Sequence, residues 1–176
     1  MSPIGVPDFD LDLGRLHHVG VVVDDLDEAA EHFSRAYGWT VSLGKESAYK
    51  CRIDGVEHDT VQRLGMTLEG PPHVELLRAV AGSSVWRPTS GVYHLGFVVE
   101  DLSAASAELE RRGAALWMGG VRDGECPAGT AYHRDRFGFT IELLDVAVEK
   151  SLARRFFGDA HHAESVAPLD DRIVII

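Results

Sequence analysis

The sequence predicts an α+β fold of two tandem β-α-β-β-β modules, and three observations carry that prediction. The segment 17–26, HHVGVVVDDL, returns as YHLGFVVEDL at 93–102, an offset of 76. The segment 73–77, HVELL, returns as TIELL at 140–144, an offset of 67. Between the two segments of each copy, strand-like alternation gives way to a helical stripe and then resumes, as a strand, a helix and further strands require. The offsets differ by nine, so the first copy holds about nine more residues in its interior, a length that a loop absorbs.

Each element follows from local chemistry. Val19, Val21 and Val23 alternate within a β-branched run, which signals a strand. Asp25 then stands at a helix N-cap, with Glu28 three residues on as a capping-box partner. Leu26, Ala29, Ala30, Phe33 and Tyr37 fall on one helical face, and Gly38 supplies the stop. In the second copy Asp101 is the cap, Leu102, Ala105 and Leu109 form the stripe, and Gly113 ends it. Strand-like runs follow at 39–43, 48–53, 60–68 and 73–80, one of them surplus to the module and read as a loop or an extension. Their counterparts in the second copy are 115–118, 130–134 and 139–146.

The expected organisation is an N-terminal arm at 1–15, a first module at 16–80, a linker at 81–91, a second module at 92–147 and an extension at 148–176. The linker, AGSSVWRPTSG, is marked by its Gly, Ser and Pro. The tail carries RRFFGDAHHAES and closes on the strand-like DDRIVII, outside the repeat.

Composition bounds the function. A hydrophobic share of 45% and a charged share of 26% describe an ordinary globular chain. No apolar run reaches the roughly 20 residues of a membrane span, and the acidic start with Pro3 and Pro7 is unlike a signal peptide. Cys51 and Cys126 form no CxxC pair, which fits a reduced, cytoplasmic setting. A formal net charge of −11 argues against nucleic acid and anionic membranes as partners.

Strand alternation isolates four candidate residues. If Val19, Val21 and Val23 pack on the helix, His18 and Gly20 point the other way, and by the same rule His94 and Gly96 point away from Leu95, Phe97 and Val99. Glu75 sits between Val74 and Leu76, and Glu142 between Ile141 and Leu143. A carboxylate on an apolar strand is costly unless it is paired or bound to a metal. Taken singly, a strand histidine is usually packed and an ELL glutamate usually solvated. All four at equivalent places in a repeat point to a metal set, and two imidazoles with two carboxylates suit one divalent ion among Ni, Co, Zn, Mn and Fe. A glycine two residues after each histidine leaves space near the ion.

Other polar residues read as supporting or structural. His17 is expected to point opposite His18 and to be structural or partly exposed. His73 shares the face of Glu75, and a substrate-facing or a surface role fits it. Only one of Tyr132 and His133 can face the cavity, Trp117 and Met118 read as core, Glu46 as a solvated loop charge, and His161 and His162 as exposed tail residues.

On LHHVGVVVDDL, HVELL, YHLGFVVEDL and DRFGFTIELLD, over residues 16–147, the chain resembles the vicinal oxygen chelate superfamily, also called the glyoxalase/bleomycin-resistance/dioxygenase group. The likeness extends to glyoxalase I and methylmalonyl-CoA epimerase. The resemblance implies a U-shaped mixed sheet around a metal, with His18, Glu75, His94 and Glu142 as ligands and Glu142 or Glu75 as catalytic base; the epimerase likeness adds Glu46, after the second strand, as a looser candidate for that base. It implies a lyase, isomerase or epimerase that removes a proton next to a metal-chelated carbonyl of a small substrate with two neighbouring oxygens. It also implies a homodimer, to which the apolar end at 173–176 adds weight. Two other readings stay open. An Fe(II) extradiol-type dioxygenase would use His18, His94 and Glu142 as a facial triad, and a drug-sequestering protein would use no chemistry at all.

Overall fold

Two antiparallel strands, β1 (Arg15–Val23) and β7 (His94–Val99), form the centre of the molecule. Each opens one copy of the repeat. They cross so that Gly20 lies opposite His94 and His18 opposite Gly96, with a register shift between Leu16 and His18. The computed structural model describes Leu13 and residues 15–158.

In the first copy β1 leads into α1 (Leu26–Tyr37), then β2 (Val41–Leu43), β3 (Ser47–Ile53), β4 (Val56–Gln62), β5 (Leu64–Thr67) and β6 (His73–Arg78). In the second, β7 leads into α2 (Leu102–Arg111), β8 (Ala115–Gly120), β9 (Thr130–Arg134) and β10 (Thr140–Asp145), after which comes α3 (Val146–Phe157). The caps form as the sequence predicts. The Asp25 carboxylate accepts from Glu28 N at 3.0 Å, and that of Asp101 from Ala104 N at 2.9 Å. Gly38 ends α1 at φ 71°, in the left-handed region where glycine is unstrained. Leu26 and Ala30 of the α1 stripe are buried, but Tyr37 is 56% exposed and instead lies against Phe33 and Trp39.

The ten strands form one curled mixed sheet in the order β2-β5-β6-β1-β7-β10-β9-β8-β3-β4. β6 runs parallel to β1, and β10 parallel to β7, so the four central strands are related by a local two-fold. The surplus run is strand, not loop. β2 and β3 on one side, and β4 and β5 on the other, make one long bent hairpin whose base pairs with β6 and whose tip pairs with β8. The run expected at 60–68 is broken at Arg63, whose guanidinium turns to Gly44 O and the Asp27 carboxylate. The extra length of the first copy thus joins the two arms of the sheet.

Two apolar clusters sit on opposite faces. Val22, Leu77, Val85, Trp86, Tyr93, Trp117, Met118 and Tyr132 fill the concave face. Val99, Leu102, Leu109, Ala131 and Leu143 pack beneath α2. Val146, expected at a strand end, starts α3 instead, because Asp145 caps it by accepting from Val148 N at 2.7 Å. The first part of the extension is therefore helix, while 159–176, including His161, His162 and the apolar end, lie outside the described residues. Among the described residues no helix is long and apolar enough to cross a membrane.

Candidate metal centre and its cavity

Glu75 on β6, His18 on β1, His94 on β7 and Glu142 on β10 come from four adjacent strands, so the two carboxylates flank the two imidazoles. All four side chains are buried. His18 Nε2 lies 2.9 Å from His94 Nε2 and 2.8 Å from Glu142 Oε2. His94 Nε2 lies 3.0 Å from Glu142 Oε2, and Glu75 Oε2 is 3.4 Å from both imidazole Nε2 atoms.

These donors suit a common ion. Ligand atoms about 2.1 Å from one centre stand roughly 3.0–3.4 Å from their neighbours, close to the 2.8–3.4 Å found here. Among the described residues Glu75 Oε2 accepts no hydrogen bond, and coordination to an ion would satisfy it instead. His94 Nδ1 likewise has no partner there, although a ligating imidazole usually donates its second N–H. The glycines have a sharper role than leaving room near an ion. Each histidine ring lies over the other copy's glycine, as the opposed register requires.

The charges are coupled. Burial would lower the pKa of His94, but the Glu142 and Glu75 carboxylates together outweigh it and hold it at about 9. Burial works to raise that of Glu142, and the His94 charge with hydrogen bonds from both rings keeps it well below the carboxylate range. Burial, with His18 alongside, lowers His17 to about 3.

Several supports escape the strand-alternation rule. His17 is buried, not partly exposed, and its Nδ1 meets His18 Nδ1 at 2.9 Å. The bulge between Leu16 and His18 brings both rings inward. A His18 that offers Nε2 to an ion carries its proton on Nδ1 and donates it to His17. Thr130 Oγ1 donates to Glu142 Oε1 at 2.7 Å. His73 is structural, its Nδ1 2.9 Å from Thr67 O and its ring stacked on Phe157. Tyr132 takes the cavity side, whereas His133 turns to Ser106 and Ala114 O. Met118 belongs to the core and also lines the cavity. Glu46 pairs with Arg78 at the surface.

A cavity of about 290 Å³ opens on Glu75 and Glu142. Tyr49, Leu77, Trp86, Met118 and Tyr132 make its walls, and Val148, Leu152 and Arg155 of α3 line it too. The signal for α3 was the four-residue spacing of Val148, Leu152 and Phe156 behind Asp145.

A curled sheet of two fused modules around two imidazoles and two carboxylates defines the class of fold and site. Residues 17–132 match the family described as the glyoxalase/bleomycin resistance protein/dioxygenase superfamily, and the chain belongs to it. An ethylmalonyl-CoA/methylmalonyl-CoA epimerase from Cereibacter sphaeroides is 27% identical over 110 residues, 59% of this chain and 75% of that protein. The fold is also that of a Streptomyces coelicolor methylmalonyl-CoA epimerase variant in complex with 2-nitronate-propionyl-CoA. That likeness has a TM-score of 0.51 at 20% identity and covers 77% of this chain and 96% of the other. Methylmalonyl-CoA epimerase from Mycobacterium tuberculosis gives a TM-score of 0.51 at 24% identity, over 78% of this chain and 91% of that one.

Proposed function

We propose that the protein is a divalent-metal-dependent isomerase or epimerase that moves a proton at the carbon next to a carbonyl, without redox change. The observation that carries this reading is the convergence of the His18, Glu75, His94 and Glu142 donors beside a cavity. Family membership and the epimerase relative support it. An ion held by these four residues would act as a Lewis acid toward a substrate with two neighbouring oxygens, stabilising negative charge on the carbonyl oxygen.

The protein's own groups then handle the proton. Epimerisation takes a proton from one face of a carbon and returns one to the other, so it needs an acid–base group on each side. Glu75 and Glu142 flank the histidine pair, and a carboxylate that lets go of the ion would be free to take that role. Glu142 is anchored by Thr130 and both imidazoles, whereas Glu75 Oε2 accepts no hydrogen bond among the described residues, so Glu75 is the freer to swing toward a substrate. Apolar and aromatic walls lower the local dielectric and so strengthen these charges. The fourth donor weighs against the dioxygenase alternative, whose facial triad leaves open positions for oxygen. The full buried donor set weighs against a purely sequestering protein.

The test is solvent deuterium incorporation into a panel of 2-substituted acyl thioesters and 2-oxo hemithioacetals, with each candidate metal. Glu75→Gln and Glu142→Gln should each lower exchange by about 10²–10⁴-fold. Oxygen uptake with a catechol, and exchange with no panel member, would replace this reading with the dioxygenase.

A further inference from the structure

Gln62 and Trp86 are 6% and 3% exposed, and both line the cavity. Among the described residues, neither Gln62 Nε2 nor Trp86 Nε1 has an acceptor. The amide of Gln62 is fixed, because its Oε1 accepts from Arg63 N at 2.7 Å and so commits its NH2 group to the other side. The Trp86 ring is set edge-on to Tyr49 at 5.8 Å. A buried N–H without an acceptor is unfavourable, and two on residues that line one cavity point to a ligand atom there.

Neither residue is on a strand that carries one of the four donors. Gln62 ends β4 in the long hairpin, and Trp86 lies in the segment between the two copies. A ligand that spans the cavity would meet Gln62 and Trp86 with a part other than the one that meets the imidazoles and carboxylates. Leu64, Leu77, Met118 and Leu144 supply apolar wall, and Arg122 and Arg155 add positive charge to the lining.

Resting on the function proposed above, we infer that Gln62 and Trp86 are specificity-determining residues that hold a further acceptor oxygen of the substrate, a carbonyl or carboxylate separate from its chelating pair. The substrate class is then a small, mostly apolar acyl compound with oxygen at both ends. A body bearing only alkyl groups would leave both donors buried and unmatched, and a site built to donate hydrogen bonds rejects such analogues.

Hydroxamates supply two neighbouring oxygens for a divalent ion, so they serve as probes. Ni²⁺-loaded protein is titrated calorimetrically with short alkyl hydroxamates, and with equal-length partners ending in a methyl ketone or a carboxylate. At a matching chain length an oxygen-ended probe should bind about tenfold or more tightly than its alkyl partner. The preference between ketone and carboxylate names the acceptor. Gln62→Glu keeps the acceptor for Arg63 N but removes the donor, and Trp86→Phe removes the indole N–H. Each should abolish the advantage while leaving alkyl hydroxamate binding in place, a ratio that a merely structural role would not move. Alkyl binding with no oxygen advantage at any length, or an advantage kept in both variants, overturns the anchor alone. Failure of every hydroxamate to bind overturns the metal centre and the anchor together.

Discussion

A Cβ on Gly20 would stand 2.0 Å from His94 Cε1, and one on Gly96 would stand 2.1 Å from His18 Cε1. No side chain fits there without displacing the partner ring. Gly20→Ala should therefore push the His94 ring aside and weaken metal binding at least about tenfold while the fold survives. Equilibrium dialysis and circular dichroism check the two halves of that expectation. Thr130→Val removes the hydroxyl that donates to Glu142 Oε1 and should lower metal affinity by about 10–100-fold, read in the same dialysis. The meeting of His18, Glu75, His94 and Glu142 is legible in the sequence because the repeat places each pair at equivalent positions. His17 and Thr130 are not. A bulge at Leu16 breaks the alternation that would turn His17 outward, and the Thr130 contact depends on a strand register between β9 and β10 that no local pattern states.

At the scale of elements, caps and stripes placed both module helices, while the long hairpin and α3 needed the structure. Strand propensity at 48–53 and 60–68 was visible, but which strand those residues would pair with was not. The pairing of β3 with β8 joins the two copies and is set by their mutual position. The hairpin turns on Asp54 at φ 49° and Gly55 at φ 79°, a two-residue turn with positive φ at both positions. Gly55→Ala should destabilise the protein by about 1–2 kcal/mol, measured by urea denaturation. An unchanged midpoint would mean that the turn relaxes at no cost. α3 went unread because its stripe starts within a run that also suits a strand, and only the Asp145 cap separates the two.

For the whole molecule, the internal duplication gives both the architecture and the centre. Antiparallel β1 and β7 bring two histidines together, and the parallel neighbours β6 and β10 bring a carboxylate to each side. A charge of −11 favours attraction of a cation, and a largely apolar cavity beside the cluster favours a small substrate. All of this depends on the four donors holding one ion. Elemental analysis after dialysis against Ni²⁺, Co²⁺, Zn²⁺, Mn²⁺ and Fe²⁺ in turn tests that most directly. It should find about one ion per chain for at least one metal, with a matching stabilisation of about 2.7 kcal/mol at a hundredfold excess over Kd, and both lost in Glu142→Gln. No retained ion from any of the five metals, with no metal-dependent change in thermal midpoint, would contradict the account.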